Sequence, residues 1–395
     1  MDKYANRKKN TRKQLDTFMI NIKNLEECCG CTACASICNH NAITMRPDTL
    51  GFLYPVVDVS KCTNCGLCEK VCSFNSNYDT SFNITEPIVY AARQKKLDEI
   101  LKSRSGAVFA AISDYILEKG GVVYGAGYSN HFHVIHKRAT TKAERDEFRG
   151  SKYVQSYMND VFRHVKKDLK NGLIVLFSGT PCQTAGLNSY VGNRLRSKLL
   201  LIDIVCHGVS SPKVWEDYLN SIENREKSKV INVDFRNKKI FGWNAHKETF
   251  DFENGQTKWY RFRFYNKIHM RRSCSICPFT NTKRPSDITL GDFGGYEKNL
   301  PSMYSDNYGC SMVYCNTKKG ELIFDEIKSS LILQKTKLSI TLQPNLKHPT
   351  NPHRNRENFE NSYVKYGYEK TSRKYGMIGY RYYLDKIIEI IRKNL

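Results

Sequence analysis

From Pro87 onward, short apolar runs alternate with amphipathic segments, a pattern that predicts strands and helices in turn. Ile88-Val-Tyr-Ala-Ala92 predicts a strand, Lys95 to Lys102 a short helix, and Ala107 to Glu118 an amphipathic helix stopped by Gly120-Gly121. Val122-Val-Tyr124 and His133-Val-Ile135 are strand candidates, followed by helices near Thr141 to Phe148 and Asn159 to Lys170. Leu173-Ile-Val-Leu-Phe177 is apolar throughout, as a strand buried on both faces of a parallel sheet must be, and Leu199 to Val205 has the same character. A helix is expected over Trp215 to Glu223, and a hairpin pairs His246 to Phe252 with Gln256 to Tyr265 across Glu253-Asn-Gly255. Pro344, Pro349 and Pro352 then break the pattern before an amphipathic ending, Tyr382 to Leu395, expected to pack on the core. Such alternation argues for an α/β domain with a mixed sheet.

The segment before Pro87 is organised differently, by cysteines. Cys28, Cys31, Cys34 and Cys38 share one spacing with Cys62, Cys65, Cys68 and Cys72, so one phrase is written twice. Two-residue gaps let a short loop wrap three thiolates round one corner of a cubane, while the fourth, three residues on, faces away. The stretch resembles a bacterial two-cluster ferredoxin, in which the fourth cysteine ligates the other cluster. The ligand sets are then Cys28, Cys31, Cys34 and Cys72 for one 4Fe-4S centre and Cys62, Cys65, Cys68 and Cys38 for its neighbour. The proline that usually follows the fourth cysteine is replaced by Asn39 and Ser73, and Cys29 is a spare thiol. Zinc ribbons need two pairs of ligands and fit this spacing poorly.

These two patterns divide the chain of 395 residues into a basic tail (1–20), an α+β ferredoxin-like module (21–80), an α/β domain (85–338) and a C-terminal extension (339–395), with Asn75 to Glu86 read as a linker. The N-terminus is charged and lacks the apolar core of a signal peptide, and no apolar run approaches the length of a membrane span. We therefore expect a cytoplasmic, reducing setting and at most peripheral membrane contact. A formal charge of +23 calls for anionic partners. Basic and aromatic residues interleave over Lys258 to Tyr265, but a half-buried strand alternates in the same way, so no nucleic-acid partner is expected.

Candidate chemistry lies just after predicted strands: Ser178-Gly-Thr-Pro-Cys182, Cys206-His-Gly208, and Gly291-Asp-Phe-Gly-Gly295 following Asp287-Ile-Thr-Leu290. Ligands of open α/β sheets bind beyond the carboxyl ends of strands, so these loops predict one shared site. Cys182 and Cys206, with the C-x-x-C of Cys274 and Cys277, predict a third 4Fe-4S cluster there. A dithiol or half a zinc site are alternatives for that C-x-x-C, and Cys310 or Cys315 could replace one ligand.

Together, Ser103-Arg-Ser-Gly106, Gly150-Ser-Lys-Tyr-Val-Gln155, Gly179-Thr-Pro-Cys-Gln183, Cys206-His-Gly208, Arg272-Ser-Cys-Ser-Ile-Cys277 and Ser286-Asp-Ile-Thr-Leu-Gly-Asp-Phe-Gly294 resemble the coenzyme F420 hydrogenase/dehydrogenase beta-subunit family. The resemblance implies FAD in the α/β domain, electron exchange between FAD and 4Fe-4S clusters, and coenzyme F420 or another hydride donor or acceptor as substrate. It implies cofactor contacts from Ser103, Ser105, Gly106, Lys152, Tyr153, Gln155, Thr180 and Asp292. A bacterial branch of the family accompanies surface-polysaccharide genes.

Read from the residues, Ser103, Ser105 and Gly106 offer hydroxyls and N–H groups at a helix start, where a pyrophosphate could rest; an ordinary N-cap is the alternative. The family more often has a second glycine where this chain has Ala107. Lys152 is placed to stabilise a reduced flavin or else is a solvated lysine, and His207 is a proton-donor candidate or a structural histidine. The expected protein is thus a flavin-dependent iron–sulfur oxidoreductase that works with an electron-carrier protein or partner oxidoreductase. The alternative is a non-catalytic electron-transfer subunit feeding a partner enzyme.

Overall fold

The computed structural model describes residues 19–22, 24–74, 78–262, 267–294 and 306–379. Nearly all of the basic tail and the expected final helix from Tyr382 lie outside these residues.

In the N-terminal part, a short helix α1 (Ala33–Ile37) carries Cys34, an antiparallel pair β1 (Ile43–Pro47) and β2 (Leu53–Val57) follows, and α2 (Leu67–Lys70) carries Cys68. Asp48 turns the hairpin by accepting the N–H groups of Leu50 (2.9 Å) and Phe52 (2.8 Å) on Oδ1. The turn points Leu50 and Phe52 into a core shared with Trp215, Tyr218 and Phe250. The cysteine module is therefore docked rather than set apart, because its hairpin tip is apolar and finds its cover on the larger domain.

Next come β3 (Asn83–Gln94), α3 (Leu97–Leu101), α4 (Val108–Glu118), β4 (Val122–Tyr128), β5 (Val134–Ala139), α5 (Lys142–Asp146), α6 (Val161–Lys170), β6 (Val175–Gly179), α7 (Pro181–Val191), β7 (Leu199–Ile204) and α8 (Pro212–Glu226). A separate three-stranded antiparallel sheet holds β8 (Val230–Asp234), β9 (Glu248–Phe252) and β10 (Thr257–Tyr260), with α9 (Lys238–Phe241) inserted. The chain returns through β11 (Ile288–Asp292), β12 (Ser311–Thr317), α10 (Lys318–Ile327) and β13 (Leu331–Thr336), and a helix over Arg356–Lys374 closes the described part.

The main sheet has the order β13-β3-β12-β11-β7-β6-β4-β5. β4, β6, β7 and β11 are mutually parallel, and the remaining pairs are antiparallel, so the sheet is mixed as expected. The parallel strands are the apolar ones: Val175 to Phe177 and Leu199 to Ile202 are at most 1% exposed. α4 and α10 cover one face. α6 and α7 cover the other, where Cys29, Cys31 and Ala33 of the cysteine module join the same layer.

Several predicted boundaries move. The strand expected from Leu173 starts at Val175, and the one expected from His133 starts at Val134. The strand expected at Ile88 belongs to a longer β3 that begins at Asn83, inside the stretch read as a linker. Pro87 is tolerated there because the register with β12 shifts between Cys315 and Thr317, which leaves the proline within an unpaired bulge of β3. The extension does not trail away: Phe359, Tyr363 and Tyr368 enter the core that holds Trp215.

Candidate functional site

The duplicated cysteine phrase is duplicated in backbone conformation. Gly30 donates its N–H to Cys28 Sγ at 3.4 Å, and Asn64 donates to Cys62 Sγ at 3.4 Å. Gly30 and Asn64 are both left-handed, with φ of 71° and 53°, and so are Thr32 and Gly66 at the next matching position, with φ of 70° and 73°. Each loop thereby curls its N–H groups toward sulfur, the kind of hydrogen bond that stabilises a thiolate ligand.

Within the module the thiols lie close to one another, with Cys34, Cys38, Cys68 and Cys72 in one small apolar cluster. Burial raises the Cys34 thiol well above its ordinary value, and Cys31, Cys28 and Cys72 raise it further. Those three are the other members of its expected set. Cys38, Cys62, Cys65 and Cys68 line one small cavity of about 20 Å³, with Cys65 exposed at its mouth.

A much larger cavity, about 620 Å³, opens at the carboxyl edge of the main sheet. It lies there because β6, β7 and β11 all end on that edge, at Gly179, Ile204 and Asp292. β3 delivers Ser103 to Gly106 to the same level, since Ala92 and Asp292 are both in register with Ser311. Cys182, Cys206, Cys274 and Cys277 all line it. The Cys206 loop repeats the turn seen in the module: Gly208, with φ of 103°, donates its N–H to Cys206 Sγ at 3.4 Å. Burial pushes Cys206 up to about 12, with Cys182 and Cys277 adding to the rise. Burial likewise pushes Cys274 up to about 12, helped by Cys206 and Cys182. Cys277 is raised by burial, then by Cys182 and Cys274.

Cys182 differs. A hydrogen bond with Cys29 lowers it to about 7, against the effect of burial, and the Thr180 hydroxyl 3.1 Å away helps. The spare thiol of the sequence reading therefore sits between the module and the sheet edge. Cys315 on β12 and Cys310 just before it lie in the apolar layers and line neither cavity. Among the described residues, no three His, Cys, Asp or Glu side chains are disposed to hold a single metal ion. A cubane distributes its thiolates over four irons and asks for a looser grouping.

The expected cofactor residues are gathered unequally. Ser103, Ser105, Lys152, Tyr153, Gln155, Thr180 and Asp292 line the large cavity, as does His207, but Gly106 sits behind its wall. Gly106 donates its N–H to Ser311 Oγ (2.9 Å), and the Ser105 hydroxyl donates to Cys310 O (2.7 Å), so both groups tie this loop to β12. A Cβ on Gly106 would lie 2.3 Å from Ala92 O, which leaves no room for any other residue. The free helix start is one step further on, where Ala107, Val108 and Phe109 face the cavity. Lys152 turns its ammonium to the carbonyls of Glu147 (2.8 Å), Arg149 (3.2 Å) and Gly150 (3.5 Å), a capping role. Thr180 engages its hydroxyl with Gln183 Oε1 (3.0 Å) in the capping box of α7.

Charge in the cavity wall comes mainly from residues the sequence reading passed over. Asp292 Oδ2 accepts from Arg104 Nη2 (3.1 Å) and Arg236 Nη1 (3.0 Å), so one carboxylate faces two guanidiniums. Arg104 stood inside the Ser-Arg-Ser-Gly motif and could have been found; Arg236 has no local signal. His136 is lowered to about 4 by burial and is neutral. Its Nε2 faces Ser178 O (3.0 Å), an acceptor only, so Nε2 carries the proton and Nδ1 accepts from Ser156 Oγ (2.8 Å). His207 is also lowered by burial.

Residues 27–76 match the family model of a 4Fe-4S dicluster domain, and residues 173–340 match that of the C terminus of the beta subunit of coenzyme F420 hydrogenase/dehydrogenase. The chain joins these two domains. The dicluster domain contains all eight cysteines of the duplicated phrase, and the beta-subunit domain contains Cys182, Cys206, Cys274, Cys277 and Asp292. Ser103 to Gly106 and Lys152 to Gln155 lie between the two matched segments. A chain from the structure of the F420-reducing [NiFe] hydrogenase complex of Methanosarcina barkeri is 17% identical, with a TM-score of 0.47 over 73% of this chain and 91% of that one. No curated protein matches the chain. Among the described residues no helix is long and apolar enough to cross a membrane.

Proposed function

We propose that the protein is an iron–sulfur flavoprotein oxidoreductase with three 4Fe-4S clusters and FAD in the large cavity. The observation that carries this reading is the N–H···S turn shared by Cys28, Cys62 and Cys206, the last of which opens into a cavity also lined by Cys29, Cys182, Cys274 and Cys277. The module's two ligand sets are Cys28, Cys31, Cys34, Cys72 and Cys62, Cys65, Cys68, Cys38, and the sheet-edge set is Cys182, Cys206, Cys274, Cys277. Burial raises the thiols of Cys28, Cys34, Cys206, Cys274 and Cys277, so these hold their protons until a metal displaces them, and cluster assembly there releases protons.

The cavity suits a phosphorylated, partly apolar cofactor. Its volume is in the range of small-molecule sites, Arg104 and Arg236 outnumber Asp292 on the wall, and α4 turns its N-terminus inward. When bound, FAD supplies hydride chemistry on one side and single-electron exchange with clusters on the other. The chain's own residues orient and exclude: Gly179 to Cys182 and Gly291 to Phe293 form the floor, and neutral His136 keeps a fixed tautomer beside it. Exposed Cys65 sets the second module cluster at the surface, within reach of a one-electron carrier or a partner oxidoreductase.

Anaerobically prepared protein should contain about twelve irons per chain, four for each cluster, and one FAD. Protein with full iron that neither carries nor takes up FAD would leave the alternative, an electron-transfer subunit for a partner enzyme.

A further inference from the structure

A guanidinium lies sealed between the cysteine module and the sheet-edge thiols. Arg271 is 1% exposed. Its Nε donates to Cys28 O (2.8 Å), its Nη2 to Leu53 O (2.9 Å) and its Nη1 to Gln155 Oε1 (2.8 Å). Gln155 completes the clasp by donating Nε2 to Cys29 O at 2.8 Å. On its flat side the guanidinium stands 4.4 Å from the centre of the Tyr54 ring. Every one of these contacts is neutral, and among the described residues no Asp or Glu forms an ion pair with Arg271.

Arginine keeps its charge under all ordinary conditions, and a buried charge without a counter-ion costs several kcal/mol even after relaxation. The site must therefore supply an anion. Thiols stand on both sides of it: its Nε holds the main chain of Cys28 in the module, while Arg271 O accepts from Cys274 N (3.2 Å) and Arg271 shares the wall of the large cavity with Cys182 and Cys274. A 4Fe-4S centre with four thiolates is a net anion and gains one more negative charge on accepting an electron, with no bond made or broken and no proton needed. A fixed cation beside it favours the reduced form.

We propose that Arg271 is a positioning residue with two effects: it locks the first module loop against the sheet edge, and its charge raises the reduction potentials of the two clusters that flank it above that of the surface cluster. The proposal rests on the three-cluster reading above. It makes the buried pair of clusters the resting place of an electron, with the cluster at Cys65 the uphill step toward the exterior.

The test is an EPR-monitored redox titration, with dithionite as reductant, of wild-type, R271K and R271M protein, each with its iron content. Loss of the charge in R271M should lower the one-electron reduction equilibrium of both flanking clusters at least tenfold, a downward move of about 59 mV or more. The surface cluster should not move, and R271K, which keeps the charge, should stay near wild type. Unchanged potentials in an iron-replete R271M, or equal falls in R271K and R271M, would overturn the proposal. If R271M cannot hold its iron, R271K must still do so; an equally depleted R271K means that the fork of hydrogen bonds, not the charge, matters. Wild-type protein with about eight irons instead of about twelve would remove the sheet-edge cluster and refute the reading beneath, whereas the first module cluster would still report on Arg271.

Discussion

A methyl group added to Gly186 would lie 2.7 Å from the sulfur of Cys31. Helix α7 starts beside Cys182 and, one turn later, presses this glycine onto the first module loop, so one short helix touches both cysteine groups. A sulfur held by a cluster cannot swing aside as a free thiol could.

G186A should for that reason damage the first module cluster selectively. Alanine favours a helix by about 1 kcal/mol, but overpacking costs about 1 to 3 kcal/mol, and with Cys31 immobilised the clash decides the sign. We expect lower iron content and altered EPR from the Cys28 set, with the surface cluster intact. Full iron with unchanged spectra would show that the module can retreat from α7 without cost.

C274S and C65S should each lose the signal of one cluster, about four of twelve irons at most, and the two losses should be spectroscopically distinct. Iron analysis with EPR after anaerobic preparation checks this. A C274S protein with the complete wild-type inventory would remove Cys274 from the ligand set.

Ala107 holds a left-handed conformation, with φ of 64°, at the N-cap of α4. Such a conformation costs a non-glycine residue roughly 1–2 kcal/mol, and glycine gives back somewhat less through its freer unfolded chain. A107G should be neutral to stabilising by up to about 1 kcal/mol in anaerobic urea denaturation, the opposite of the usual effect of glycine. A clear loss of stability would mean that the methyl group packs better than the strain suggests.

Glu248 is buried in the three-stranded sheet, and burial raises its carboxyl to about 8. Between the ordinary carboxylate range and that value, the folded protein holds a proton that the unfolded chain has released, so this residue makes stability fall as pH rises toward 8. E248Q lacks the titration. Its stability advantage over wild type should grow between pH 5.5 and 7.5, and parallel curves for the two proteins would contradict the assignment.

The dicluster domain and the parallel strands were legible because their signals are local: ligand spacing is fixed by one loop, and a doubly buried strand is apolar by itself. β12 and β13 were missed because they are recognisable only through partners far away, β3 above all. The Tyr-rich helix over Arg356–Lys374 reads as polar, although Tyr363 and Tyr368 bury their rings. Gln155 was read as a cofactor contact, and it does line the cavity, but its amide is engaged with Arg271 and Cys29. No pattern in either segment announces that clasp, since it exists only once the two segments meet.

The hairpin tip of the module also sets an order of events during synthesis. Leu50 and Phe52, both 0% exposed in the finished protein, find their cover on α8, on the three-stranded sheet and on Phe359. These segments leave the ribosome long after the nine cysteines of the module. Until then the emerging module presents two bare apolar side chains and an unclasped Cys28 loop, a surface on which a chaperone or a cluster-delivery protein can act before Arg271 arrives to close it.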